Sequence, residues 1–220
     1  MIEISSLSAL NSAVTAGDCS QPGEMSQADI ATNAVRRLAE AVVRMSADHP
    51  RVSTMAERVN ILADELDSRA PSASVRVETM WDPAGGVPKH SPVAGTRNAV
   101  ARPLVLHQLA DGVVEGRVNF GVLHQGPPGC LHGGIAALVL DVAPASANAH
   151  AGYPGMTASL RIRYLRPTPL YRELTVVAAH IDRDGRKIRS WAEIRLDGEV
   201  CVRADGLFVT AKEGFAHSDQ

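Results

Sequence analysis

The sequence predicts an α+β fold in which one long apolar helix packs against an antiparallel sheet. Residues 132–150 read HGGIAALVLDVAPASANAH, an apolar run that is too long for a strand and long enough for a buried helix. Five other segments alternate apolar and polar residues, as strands with one buried face do. One apolar helix with a strongly curved sheet around it is an α+β arrangement.

An N-terminal extension precedes this domain. Residues 1–25 are rich in Ser, Ala and Gly without periodicity, so we expect a flexible tail. Residues 26–71 predict a helical hairpin that begins at a candidate capping box, Ser26-x-x-Asp29, and ends at Pro71. His49-Pro50 separates its two helices. Apolar residues of the first helix recur on one face: Ile30, Ala34, Leu38, Val42 and Met45.

Two roles are open for this hairpin. It could be a small DNA-binding module, or it could pack on the main domain or on a partner. Residues 26–70 contain 6 Arg and 7 Asp or Glu, and no basic face emerges from them. This balance favours the packing role, since nucleic-acid binding needs a basic surface.

The predicted sheet follows an irregular connecting segment. Residues 72–110 are rich in Pro and Gly, and the main domain is expected at 111–211, followed by a tail at 212–220. Asp184-Gly185 and Asp197-Gly198 are tight-turn signals that join the last three strands into a meander. The five candidate strands are residues 114–120, 160–164, 174–181, 187–196 and 200–210.

Composition excludes several classes of protein. The chain of 220 residues has a formal net charge of −2, which gives no support for a nucleic-acid partner. No apolar run is long enough for a membrane span, and the N-terminus lacks the pattern of a secretory signal. Cys19, Cys130 and Cys201 have unrelated spacings, which predict neither disulfides nor a metal site. We expect a cytoplasmic protein without a bound metal.

The helix carries the two features that point to chemistry. Asp141 is the only carboxylate in the apolar run, and a charged group in such a run needs a partner or a role. Gly133 and Gly134 open the helix, where backbone N–H groups form a ready anion site. An acid beside an oxyanion site predicts a hydrolase.

Three longer motifs resemble a known family. GPPGCLHGGIAALVLDV, GMTASLRIRYLRPTPL and DGRK resemble the hotdog-fold acyl-CoA thioesterases of the phenylacetate-pathway type, within the thioesterase superfamily. They are especially similar to the mammalian long-chain fatty acyl-CoA thioesterases. The resemblance covers roughly residues 91–210. It implies the hotdog fold, in which a curved antiparallel sheet wraps a central helix and two chains join their sheets edge to edge.

The resemblance also implies roles for individual residues. Asp141 is the catalytic acid, and the Gly133 N–H polarises the thioester carbonyl. Thr157, favoured over Ser159, holds the acid or the attacking water. His132 and Gly134 shape the entrance of the helix. Pro144 departs from the family pattern and is expected to kink the helix, because it removes a hydrogen bond to the Leu140 carbonyl.

Further residues are candidates for substrate binding. Arg166, Arg186 and Lys187 are placed to meet the phosphates of coenzyme A, where family members carry basic residues. Gln125 lies near the position of a polar amide in many relatives. The acyl chain is expected to enter an apolar slot between two helices, lined by Leu138, Val142 and Met156. Coenzyme A enters as part of the substrate, and no other cofactor is expected.

Helix geometry predicts how the site is assembled. Asp141 follows Gly133 by eight residues, which is about 12 Å along a helix at about 1.5 Å per residue. A reacting carbon needs both groups within about 3–3.5 Å. One helix cannot supply both, so we expect a homodimer, or a dimer of dimers, with sites at the interface.

The predicted function is hydrolysis of acyl-CoA, with medium or long fatty acyl chains favoured. Asp141 can act as a general base or as a nucleophile, and the sequence leaves both routes open. An acyl-CoA-sensing regulator, or a binder without activity, is the alternative. A hotdog dehydratase is disfavoured because no Asp-x4-His follows the helix start.

Overall fold

The computed structural model describes residues 26–75, 88–110 and 112–210. Both expected tails, and residues 76–87 of the connecting segment, lie outside the described residues. The elements, in chain order, are α1 (Gln27–Arg44), α2 (Arg51–Asp67), β1 (Leu106–Ala110), β2 (Val113–Asn119), a 3-10 helix (Val122–His124), α3 (Gly133–His150), β3 (Met156–Tyr164), β4 (Glu173–Asp184), β5 (Lys187–Leu196) and β6 (Glu199–Val209).

The described strands form a six-stranded sheet in the order β1-β2-β4-β5-β6-β3. All neighbouring strands pair antiparallel. The predicted meander of β4, β5 and β6 is confirmed, and positive φ angles occur at both of its turns. Asp197 and Gly198 have φ of 50° and 83°, and Gly185 has φ of 56°. Two-residue hairpin turns need such angles to match the strand twist.

The central helix α3 packs on this sheet and contacts all six strands. Leu140, Ala143 and Ala147 of α3 are fully buried, as are Val176 and Ile194 of the facing sheet. Each large apolar side chain buried in this way contributes about 1.5–3 kcal/mol relative to exposure. The α+β prediction, with one helix surrounded by an antiparallel sheet, is confirmed.

Pro144 lies inside α3 without ending it. The helix continues from Gly133 to His150, and Pro144 itself is buried. A proline at this position still removes one backbone hydrogen bond. Packing of α3 against the sheet holds residues 145–150 in the helix.

The structure adds a strand that the sequence analysis missed. β1 occupies the end of the segment that was expected to be irregular, and it pairs with β2 at one edge of the sheet. Four of its five residues are exposed. An edge strand with so little burial needs no alternation of apolar and polar residues, so its sequence carries no strand pattern.

Strand β3 forms the opposite edge of the sheet and pairs only with β6 among the described strands. Seven of its nine residues are exposed. Leu160 and Ile162 pack against the core, which places the face of β3 that carries them toward α3. A long, exposed edge strand is a template for pairing with another chain.

The first helix of the N-terminal hairpin docks through a buried arginine. The capping box of Ser26 and Asp29 at the start of α1 is confirmed. Arg36 is 5% exposed, and its guanidinium donates hydrogen bonds to backbone carbonyls of the connecting segment. These acceptors are the carbonyls of Gly95, Thr96, Asn98 and Ala101. Burial and the charge of Arg102 lower the pKa of Arg36.

The apolar faces of the hairpin remain largely uncovered in the single chain. α2 has no buried residue, and Leu62 and Leu66 are exposed. Ile30, Leu38 and Val42 of α1 are exposed as well. The contacts of α1 with the main domain are therefore mainly polar, although the predicted apolar stripe is present.

Candidate active site

The N-terminus of α3 is built by His132 and two glycines. His132 is the N-cap residue, and its Nδ1 accepts a hydrogen bond of 2.9 Å from the Gly134 N–H. The side chain thereby satisfies one of the N–H groups that every helix start leaves without a partner. His132 and Gly134 thus shape the helix entrance. The Gly134 N–H, one of the two predicted from the sequence to form an anion site, donates to His132 in this structure.

Gly133, between His132 and Gly134, carries a second N–H group of this turn. No described residue accepts a hydrogen bond from it. The Gly133 carbonyl accepts a bond of 2.9 Å from the Tyr164 hydroxyl at the end of β3. A Cβ built on Gly133 would lie 3.3 Å from atoms of the Tyr164 ring, which is tighter than ordinary contact. No site role is predicted for Tyr164 from the sequence, because its 31-residue separation from Gly133 leaves no local signal of this contact.

Asp141 and Thr157 form a hydrogen-bonded pair. The Thr157 hydroxyl donates to Asp141 Oδ1 over 2.7 Å, so it holds the acid directly. Asp141 is half-buried and Thr157 is exposed. Among the described residues no cation forms an ion pair with Asp141, and none donates a hydrogen bond to its Oδ2. One carboxylate oxygen is therefore oriented, and the other is open to a ligand.

A β-bulge in β3 makes this pair possible. Thr157 pairs with Phe208, Ser159 pairs with Leu207, and Ala158 between them has no partner. Leu160 and Ile162 face the core, so regular alternation along β3 would turn Thr157 away from α3. The extra residue shifts the alternation by one, which brings the Thr157 hydroxyl to Asp141.

Helix α1 supports the turn that precedes His132. The Glu40 carboxylate accepts hydrogen bonds from the Val122 N–H (3.1 Å) and the Tyr171 hydroxyl (3.0 Å). The 3-10 helix that starts at Val122 ends at His124, whose carbonyl accepts the His132 N–H over 2.8 Å. The extension is thus connected to the helix entrance by a short series of hydrogen bonds. Sequence analysis missed Glu40 and Tyr171 because their partners are distant along the chain.

Two further side chains lie in this turn. The Gln125 amide oxygen accepts the Gly129 N–H over 3.0 Å, so it stabilises the loop before His132. His124 is half-buried, and burial together with the Arg102 charge lowers its pKa. A lowered pKa favours the neutral imidazole near pH 7.

Two of the three basic residues predicted to meet phosphates have partners within the chain. Arg166 forms an ion pair with Glu199. Arg186 donates from Nε and Nη2 to the Thr210 carbonyl, over 3.1 Å and 2.8 Å. Lys187 is exposed, and no ion pair involves it among the described residues.

The residues predicted to line an acyl slot are mostly uncovered in the single chain. Leu138 of α3 and Met156 of β3 are 47% and 53% exposed, and Val142 is half-buried. Met156 precedes Thr157, and Leu138 lies one helical turn before Asp141. These apolar side chains therefore lie beside the Asp141 and Thr157 pair.

The described part of the chain contains neither a metal-type cluster nor a membrane-spanning helix. No group of three or more His, Cys, Asp or Glu residues there could hold a metal ion. None of the described helices combines the length and the apolar character that crossing a membrane requires. Cys130 and Cys201 are free thiols.

Comparison with known proteins gives two informative similarities, while no family model matches the chain. The chain is 38% identical over 88 residues to acyl-coenzyme A thioesterase THEM4 of Bos taurus; these residues are 39% of the chain and 35% of that protein. The chain thus spans about a third of the length of this relative. It is 44% identical to the crystal structure of protein RHA08564, a thioesterase superfamily protein. That alignment covers 86% of this chain and 97% of the other, with a TM-score of 0.77.

Proposed function

The chain belongs to the thioesterase superfamily, and on that premise we propose that it hydrolyses acyl-CoA thioesters to a free acid and coenzyme A. The predicted hotdog-type fold and family are confirmed by the same likeness. The observation that carries the proposal is the Asp141 carboxylate, oriented by Thr157 through one oxygen, free of any described cation, and half-open to solvent.

Asp141 supplies the nucleophile in this proposal. As a general base it takes a proton from a water that adds to the thioester carbon, and as a nucleophile it forms a transient anhydride that water then opens. In both routes the carbon–sulfur bond breaks and the coenzyme A thiolate leaves, taking up a proton. Thr157 keeps the carboxylate aimed in either case.

The Gly133 N–H supplies the second half of the chemistry. As the thioester carbonyl becomes tetrahedral, its oxygen gains negative charge, and an N–H at a helix start stabilises that charge. Glycine suits this place because the carbonyl must approach the backbone closely, and the Tyr164 ring already occupies the other side. His132 contributes by fixing the turn.

We propose that each site is shared between two chains. Gly133 and Asp141 are eight residues apart on α3, about 12 Å at about 1.5 Å per residue, so one chain does not bring both to one carbonyl. The exposed edge strand β3 offers the surface for a second copy, related by a two-fold axis. A homodimer, alone or within a dimer of dimers, then places Asp141 of one chain beside Gly133 of the other.

The preferred substrates in this proposal carry medium or long fatty acyl chains. Leu138 and Met156 are apolar, exposed and adjacent to the Asp141 pair, so an alkyl chain can cover them. The THEM4 relative is itself an acyl-coenzyme A thioesterase. We propose no cofactor beyond the coenzyme A of the substrate. The free thiols of Cys130 and Cys201 fit a reducing, cytoplasmic location.

Release of free thiol from a panel of acyl-CoAs tests the activity and the chain-length preference together. We expect turnover by the wild type, with rates that rise from short to medium and long alkyl chains. Asp141→Asn is expected to abolish turnover, whereas Asp184→Asn, an exposed aspartate at the end of β4, retains it. Binding of acyl-CoA without turnover in the wild type would instead favour the sensor or binder.

A mixing experiment tests the shared site. Gly133→Pro removes the N–H. The backbone accepts proline at the first helical position, where His132 already has extended angles (φ −64°, ψ 133°), but the added Cβ requires the Tyr164 ring, 3.3 Å away, to shift slightly. Asp141→Asn and Gly133→Pro are each expected to be inactive. Co-expressed, they form mixed dimers in which one of the two sites is intact, so activity returns. Mixtures that stay inactive, although mixed dimers form, would place both groups in one chain.

A further inference from the structure

A basic pocket lies between helix α1 and the main domain. Its volume is about 560 Å³, and Arg36, Arg37, Arg44 and Arg102 all contribute to its lining. The other residues that line it are Asn33, Ala34, Leu38, Glu40, Ala41 and Tyr171. The pocket therefore combines four guanidinium groups with a single carboxylate.

The guanidinium groups of this pocket are not neutralised by ion pairs. None of the four forms an ion pair with a carboxylate of the described residues. Other arginines near carboxylates do pair, for example Arg166 with Glu199 and Arg172 with Asp197. The pocket thus retains its positive charge, whereas many arginines elsewhere on the surface are neutralised by carboxylates.

Three of these arginines keep N–H groups for a ligand. Arg44 donates from Nε to the Glu40 carbonyl, and Arg102 donates from Nε to the Asn119 carbonyl, which leaves their terminal nitrogens available. Arg37 is exposed and donates to no described residue. Arg36 differs, because its hydrogen bonds are used to dock α1.

The single carboxylate, Glu40, offsets only part of this charge. Burial opposes its ionisation, but hydrogen bonds from Tyr171 and Val122 and the charge of Arg102 lower the pKa of Glu40. Glu40 Oε1 accepts the Val122 N–H and the Tyr171 hydroxyl, so its side chain is directed toward the main domain. A Cβ on Gly121 would lie 2.4 Å from this oxygen, which shows how closely Glu40 packs against the domain.

The pocket lies close to the helix entrance. Glu40 and Tyr171 line it and bind Val122, and the 3-10 helix of three residues starting there spans about 6 Å at about 2 Å per residue. Its last carbonyl bonds the His132 N–H over 2.8 Å. In acyl-CoA the pantetheine arm separates the phosphates from the thioester, so a phosphate site is expected at some distance from Gly133.

We propose that this pocket binds the phosphate groups of the nucleotide part of acyl-CoA, through Arg37, Arg44 and Arg102. Guanidinium groups match phosphate oxygens in charge and geometry and form strong hydrogen bonds to them. The site gives the N-terminal hairpin a role in substrate binding. Arg166 and Arg186 have contacts within the chain, and their predicted role at the phosphates stays a prediction. This inference rests on the proposed acyl-CoA hydrolysis.

Steady-state kinetics with two substrates, acyl-CoA and the matching acyl-pantetheine, test the assignment. In the Arg37→Gln/Arg44→Gln double variant we expect KM for acyl-CoA to rise about tenfold or more, as loss of charged hydrogen bonds implies. We expect kcat to remain unchanged. KM for the matching acyl-pantetheine, which lacks the nucleotide phosphates, should not change. The matched control is Arg51→Gln/Arg58→Gln on α2, two exposed arginines outside the pocket.

Two results would overturn the proposal: an unchanged KM for acyl-CoA in the double variant, or an equal rise of KM for acyl-pantetheine. Thermal melting of both double variants shows whether each is folded. A further variant, Arg102→Gln in the connecting segment, tests the pocket from the side opposite α1. It should raise KM for acyl-CoA selectively, as the α1 variants do.

A binding measurement separates this proposal from the proposed function. Calorimetric titration with adenosine 3′,5′-bisphosphate should show binding to the wild type and to the α2 control, and at least tenfold weaker binding to the Arg37→Gln/Arg44→Gln variant. If the wild type hydrolyses no acyl-CoA but this difference is seen, the hydrolase assignment fails and the pocket stands. If hydrolysis is seen but the nucleotide does not bind, the pocket fails. Inorganic phosphate that binds as tightly as the nucleotide would show a simple phosphate site and overturn the nucleotide assignment.

Discussion

The polar groups in the two halves of the central helix α3 differ in exposure and in hydrogen bonding. At the first half, Asp141 is half-buried, Gly133 has an N–H without a described acceptor, and Thr157 is exposed. At the last turn, Asn148 is 0% exposed, and both its side-chain nitrogen and its side-chain oxygen have partners. Its amide donates to Ser190 Oγ over 3.3 Å and its carbonyl oxygen lies 3.1 Å from His180 Nδ1.

This contrast separates the polar groups that stabilise the fold from those that are available for chemistry. A buried polar group needs all its partners, because leaving one unpaired costs about 1–3 kcal/mol. The Asn148 cluster meets this need within the chain. The Asp141 end leaves one carboxylate oxygen and one backbone N–H open, and open groups near an apolar surface are what a substrate can bind. Variants at the two ends should therefore separate activity from stability.

The largest effect is expected for Asp141→Asn. We predict that kcat falls by about 10²–10⁴, since the group that activates or replaces water is lost. The amide still accepts the Thr157 hydroxyl bond, so the melting temperature should change little. Steady-state thiol release and thermal unfolding measure the two effects. If Asp141→Asn stays active, or if it strongly lowers the melting temperature, Asp141 does not differ from Asn148 in the way proposed here.

The second largest effect is expected for Asn148→Ala, which should lower the stability of the protein and leave its activity unchanged. The variant leaves Ser190 Oγ and the His180 ring without their buried partner, at a cost of about 2–3 kcal/mol in the free energy of unfolding. Activity per folded molecule should match that of the wild type. Urea unfolding combined with kcat at a temperature well below melting checks this. A loss of kcat in the folded variant would show that the two ends are coupled.

Thr157→Val should have a smaller effect on the open end. The hydroxyl that aims Asp141 is removed while the β-branched shape is kept, so we predict a fall of about tenfold in kcat, the equivalent of about 1.4 kcal/mol. KM should change little. Thr157→Ser keeps the hydroxyl and should restore kcat. If valine and serine variants behave alike, orientation of Asp141 by Thr157 has no role in turnover.

The smallest effect is expected for His132→Ala. Loss of the N-cap bond to Gly134 costs about 1 kcal/mol in stability and loosens the turn that carries Gly133. We predict a several-fold lower kcat. His132→Asn offers another N-cap side chain and should recover most of the stability. Hydrogen exchange across residues 130–136 reports the turn directly, and an unchanged exchange rate in the alanine variant would contradict this role.

The local features of this protein can be predicted from the amino-acid sequence. The apolar run of α3, the alternation in β2 and β4–β6, the turn at Asp197-Gly198 and the capping box at Ser26 all depend on neighbouring residues. The candidate roles of Asp141 and Gly133 were visible for the same reason, because both lie on one helix at a defined spacing. The role of Thr157 came from the family resemblance.

The contacts between distant residues could be found only in the folded chain. The bulge at Ala158 turns Thr157 toward Asp141 against the simple alternation of β3, and Tyr164 reaches Gly133 from the far end of that strand. Arg36 docks α1 on carbonyls that no pattern marks. Whether an arginine meets a carboxylate, a carbonyl or open solvent depends on packing of remote segments. Spacing along the chain carries no information about that packing.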